Sequence, residues 1–164
     1  MTWLDRISRT IDRVLLGIGC IFLIVMMLHI TADVLMRALF NSAVIGTLET
    51  VSYYYMVLAV LLPLAFVERT GENIRVDVLV QRAPRRVQLA CYVAACLVGL
   101  AFFGALTWQS ALDAWQSTLR QETIMSNFLF YIWPSRWALP VAFGAAWIAT
   151  LNNLVQALVR GRAL

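Results

Sequence analysis

Charge is scarce in this chain, and what there is includes no lysine. Charged residues make up 13% of 164 positions, and all thirteen basic residues are arginine. That is about half the charged share of an ordinary soluble domain. A soluble domain of this size must cover itself with polar surface, and the composition holds too little of it. A lipid-facing surface removes that demand. The arginines lie beside apolar runs rather than on a polar domain, which argues against a nucleic-acid partner. Histidine occurs once, excluding His-rich metal ligation and haem sites that need two histidines. Cys20, Cys91 and Cys96 each fall inside an apolar run, without the short-range Cys or His company of a metal site, and are expected to be small buried hydrophobes. Walker-type, Gly-x-Gly-x-x-Gly, Gly-x-Ser-x-Gly and Cys-x-x-Cys motifs are absent. The expectation is a protein that is not an enzyme, with no catalytic residue, cofactor or metal site.

What is present is apolar length. Hydrophobic residues make up 62% of the chain and its mean hydropathy is +0.78. At 1.5 Å per residue, about 20 residues cross a ~30 Å hydrocarbon core. Four runs meet that length, over residues 13–35, 48–67, 87–110 and 135–155. The fold class expected is all-α: one membrane domain over residues 1–164, with four transmembrane helices and short amphipathic helices at the interface. Residues 1–12, with Trp3, Leu4, Ile7 and Ile11 at helical spacing, read as one such surface helix. The first run exceeds a signal-peptide core and has no small-x-small cleavage site, so it reads as a retained span. Residues 68–86 read as a basic turn that holds a second surface helix, with Pro84 opening the third span.

Charge fixes an orientation. Ten arginines fall to one side of four spans: Arg6, Arg9, Arg13, Arg69, Arg75, Arg82, Arg85, Arg86, Arg160 and Arg162. Three fall to the other: Arg37, Arg120 and Arg136. The positive-inside rule places the first group, and so both termini, in the cytoplasm.

Within the runs a few residues stand out. His29, Asp33 and Arg37 are spaced four and four, so they share a helix face, and Asp33 and Arg37 can pair. Either they simply end the first span or they contact a partner helix or lipid head group. Thr47 is placed to cap the second span, with Glu49 in its first turn, where a carboxylate suits the helix dipole. Pro63 is placed to kink that span. Ala95 with Gly99, and Ala101 with Ala105, make small-residue pairs that allow close helix approach. Residues 113–133 form the longest polar link. It ends in Phe128-Leu129-Phe130-Tyr131-Ile132-Trp133, an aromatic belt or a partner surface, before Trp133-Pro134-Ser135 starts the last helix.

Three stretches together resemble a known family. They are Asp33-Val34-Leu35-Met36-Arg37, the link Asn41 to Glu49, and above all Arg69-Thr70-Gly71-Glu72-Asn73-Ile74-Arg75-Val76-Asp77-Val78-Leu79. These resemble the small membrane subunit (DctQ-type) of tripartite ATP-independent periplasmic (TRAP) transporters. Asn73 stands where that family usually carries a basic residue or histidine. The resemblance implies a scaffold or clamp in the bacterial inner membrane. Its partners would be a large DctM-type membrane subunit, a periplasmic substrate-binding protein and phospholipids. The whole would be a sodium-driven symporter of an organic acid. On that picture Asp33, Arg37, Glu49, Arg75, Asp77 and Trp133 serve fold, lipid or subunit contact, and none binds substrate. Two other classes stay open on the residues alone: a self-sufficient small transporter or channel, and a membrane anchor for a redox enzyme.

Overall fold

The computed structural model describes residues 3–70, 84–125 and 129–160. Helix α1 runs unbroken over Trp3–Phe40. Residues 3–12 are thus continuous with the helix of the first span rather than a separate helix. No glycine or proline interrupts residues 3–16, and Ile11 packs against a buried cluster of Leu15, Leu62, Ala65 and Ala145. The helix ends where Asn41 takes a left-handed φ of 51° and donates its N–H to the Arg37 carbonyl at 3.1 Å. Asparagine tolerates that conformation better than most residues.

The second span is built in pieces. Gly46, with φ 87°, opens α2 (Thr47–Thr50). A π-helical turn follows over Val51–Tyr55, then α3 (Met56–Leu61) and α4 (Leu64–Thr70). The break at residues 62–63 falls at Pro63, as its missing N–H requires. The ring of Pro63 lies against Gly19 of α1: a Cβ on Gly19 would stand 2.9 Å from Pro63 Cγ. Only a residue without a side chain fits there.

Helix α5 (Arg85–Leu119) starts after Pro84 and extends past the expected end of the third span. It closes in a Schellman motif. Gln121, at φ 47°, donates to the Thr118 carbonyl at 3.2 Å, and Glu122 donates to that of Ser117 at 3.0 Å. The polar link then folds into a feature that hydrophobic periodicity missed, an antiparallel hairpin of β1 (Thr123–Met125) and β2 (Leu129–Tyr131). A one-turn helix α6 (Trp133–Arg136), with Pro134 in its first turn, leads into α7 (Ala138–Arg160).

Among the described residues, four helical stretches are long and apolar enough to cross a membrane: Ser8–Phe40, Thr47–Thr70, Val87–Leu119 and Trp133–Val159. The first and third reach well beyond the expected 13–35 and 87–110. Helix α7 is the centre, touching α1, α3, α4 and α5, with α5 its most extensive neighbour. Its buried surface is mostly alanine: Ala138, Ala142, Ala145, Ala146, Ala149 and Ala157. Gly99 lies against Thr150, Gly104 against Trp147, and Gly144 against Thr107, which sets α5 and α7 antiparallel. Of the expected small-residue pairs only Gly99 serves this contact; Ala95, Ala101 and Ala105 face outward. The cysteine expectation is corrected in the same way. Cys96 is buried, but Cys20 and Cys91 sit on exposed faces of α1 and α5.

Candidate functional site

The polar side chains gather at the two ends of the bundle. At one end, Asp33 joins the first span to the link that follows it. Arg37 pairs with Asp33 Oδ2 at 2.8 Å, and the Val44 N–H donates to Oδ1 at 2.8 Å. The carboxylate, 6% exposed, therefore fastens the residue 41–47 link back onto α1. Next to it Thr47 donates to the Val44 carbonyl at 3.1 Å. Its oxygen then accepts from His29 Nε2 at 3.5 Å, leaving Nδ1 to accept from the Tyr55 hydroxyl at 3.2 Å. Thr47 caps nothing with its side chain; Gly46 occupies the cap position. Glu49 is half-buried in the first turn of α2.

The three consecutive tyrosines gain their directions from the π-helical turn. Tyr55 turns to α1, meeting His29 edge-on at 5.7 Å and Phe22 at 6.2 Å between ring centroids. Tyr54 turns to the hairpin, donating to the Tyr131 carbonyl at 2.7 Å and meeting Phe130 at 5.5 Å. Tyr53 reaches Phe130 at 6.4 Å. Between them lies an open groove of about 370 Å³, lined by Phe22, Thr50, Tyr54, Tyr55, Leu129, Phe130 and Tyr131. Below the hairpin, Glu122 accepts from Ser117 Oγ at 2.7 Å and from Arg136 Nη2 at 2.7 Å. The Ser117 hydrogen bond, then the Arg136 hydrogen bond and charge, with a smaller contribution from Arg120, hold its carboxyl below the ordinary glutamate range. Trp133, half-buried, begins α6 beside this pair.

The opposite end carries a cluster that the sequence reading did not single out. Asp12, 1% exposed, pairs through Oδ2 with Arg69 and accepts from Ser8 Oγ at 3.2 Å. Arg69 also lies over the Phe66 ring, 5.8 Å from its centroid. Beside it, Glu68 accepts from Thr150 Oγ1 at 3.2 Å, and its backbone carbonyl accepts from Asn153 Nδ2 at 2.9 Å. These bonds bring the start of α1, the end of α4 and the last turns of α7 to one end. The signal available was the run Thr150, Asn152, Asn153 in an otherwise apolar span, where polar residues mark contacts. Arg75 and Asp77, and the surface helix expected around them, lie outside the described residues. Asp33 and Arg37 meet each other, and the link they hold leads into the turn that carries Glu49.

Four long apolar stretches tied together at polar ends define a multi-pass helical membrane protein. Residues 26–160 match the family described as tripartite ATP-independent periplasmic transporters, DctQ component, and the chain belongs to that family. It is a small membrane subunit of a TRAP transporter. No curated protein sequence and no solved structure matches the chain.

Proposed function

We propose that the chain is the scaffold of a sodium-driven transporter that imports an organic acid across the bacterial inner membrane. A large DctM-type subunit carries the substrate and sodium sites. A periplasmic binding protein delivers the acid, and this chain braces the static part of the large subunit without binding substrate. One observation supports the division of labour: Asp12, Asp33 and Glu122 each pair with an arginine of the same chain. An organic acid needs cations and N–H donors, whereas the groove beside the hairpin is lined by aromatic rings, Leu129 and Thr50. The faces of α1 and α5 turned away from the bundle are apolar and suit lipid and a partner subunit.

The end marked by Asp12, Arg69 and Asn153 is the cytoplasmic one on this reading, because it collects the arginine majority. Asp33, Arg37, Glu49, Arg75, Asp77 and Trp133 then maintain the fold, head-group contacts or the joint between subunits. The test is co-extraction of the chain in mild detergent with its large partner, followed by reconstitution. Sodium-dependent organic-acid uptake that requires both membrane chains and the binding protein supports the assignment; uptake by this chain alone removes it. Reversing the charge of Asp33 or Glu49 is expected to reduce assembly while leaving substrate preference unchanged.

A further inference from the structure

Asn152 is 3% exposed, and neither its Oδ1 nor its Nδ2 has a hydrogen-bond partner among the described residues. Asp12 is 1% exposed and its Oδ1 is likewise unpartnered, while its Oδ2 takes Arg69 and Ser8. The two residues lie at one level of the bundle. Arg69 pairs with Asp12, and the adjacent Glu68 binds Thr150 and Asn153, the residues that bracket Asn152 on α7. Helices α1, α4 and α7 all touch one another, so these ties bring Asp12 and the turn of α7 that carries Asn152 to the same end of α4. Ser8, Thr150 and Asn153, at 1%, 1% and 5% exposure, are polar side chains buried at this same end.

We infer that this junction binds water inside the bundle, held by Asn152 and the free oxygen of Asp12. A primary amide carries two donors and two acceptor lone pairs, and a buried group of this kind is normally satisfied by protein or by water. A buried water needs room and two to four polar partners, and Asp12 Oδ1, Asn152 Oδ1 and Asn152 Nδ2 offer three such partners. Water donates to Asp12 Oδ1 and to Asn152 Oδ1 and accepts from Asn152 Nδ2. A neutral dipole fits better than a metal ion, because Arg69 already balances the Asp12 charge. The site goes beyond the scaffold role: it is a solvated joint that fixes how three helices meet, whatever the chain assembles with.

The test is a structure of the assembled transporter, or of this chain in a lipidic phase, sharp enough to show waters. It is paired with thermal unfolding of the full chain in lipid nanodiscs. Ordered water is expected within hydrogen-bond distance of Asp12 Oδ1 and the Asn152 amide. Asn152→Leu is expected to lower Tm by about 3 °C or more, because it strips the water from Asp12. Asn152→Ser, which keeps a hydroxyl and leaves room for water, is expected to lose less. A direct bond from the Asn152 amide to another protein group overturns the inference, as does a rise in Tm for Asn152→Leu, the mark of a dry orphan. A Tm that rises with sodium over choline in the parent but not in Asn152→Leu also overturns it and assigns the junction to a cation.

Discussion

Helices α7 and α1 are both long apolar rods, yet they are built for opposite surroundings. Half of the most apolar stretch of the last span is buried within the chain, against 6% for the first. The buried one is the less apolar of the two. Helix α7 presents alanines with Thr150, Asn152 and Asn153, whereas α1 turns Ile21, Ile24, Met27 and Leu28 outward at 56–66% exposure. In water the order would be reversed. In a bilayer there is no gain in hiding a leucine, so close contact is made by small residues and hydrogen-bonding groups. Large aliphatic side chains mark the outer wall.

That contrast predicts where substitutions matter, and the largest effect belongs to neither helix's apolar surface. Arg69→Ala strands the Asp12 carboxylate inside the bundle and is expected to cost about 3–5 kcal/mol, read as loss of folded protein in detergent unfolding curves. Ala149→Leu forces a larger side chain into a fully enclosed position of α7 and should cost about 1–3 kcal/mol. Tyr54→Phe removes the hydroxyl that holds the hairpin and should cost about 1 kcal/mol, with faster proteolysis of residues 123–131. Acidification gives a smaller effect. The carboxyl of Glu122 is held low in the folded chain, so its contribution is fully present above the unfolded value of about 4.3. It is lost only as pH falls through the still lower folded value. Melting curves should therefore not change through this group between pH 7 and 5, and the loss below pH 4 should be absent in Glu122→Gln. Smallest of all, Leu28→Ala on the outer wall of α1 should leave the stability of the isolated chain within about 0.5 kcal/mol. A drop as large as that of Ala149→Leu would erase the distinction between the two helices.

The spans themselves were readable because a bilayer demands a length, and length is visible without partners. The Asp33–Arg37 pair was readable because a four-residue spacing on a helix has one geometric meaning. The Pro63 break followed from its missing N–H. The tie between Asp12 and Arg69 was hidden because residues 57 positions apart leave no periodic trace; Asp12 alone looks like a moderator of nearby arginines. The hairpin was hidden for a related reason. Its three-residue strands are too short to show alternation, and their register comes partly from Tyr54, on another span. Likewise the π-helical turn has no compositional mark, although it decides where each of Tyr53, Tyr54 and Tyr55 is aimed.

The contact of Gly19 with the Pro63 ring has an evolutionary corollary. Each residue occupies room that exists only because of the other's identity. The pair should therefore vary as a unit: relatives that acquire a side chain at 19 should have relinquished the ring at 63, straightening the second span. A lineage carrying alanine or larger at 19 with proline retained at 63 would have to hold its first two rods farther apart.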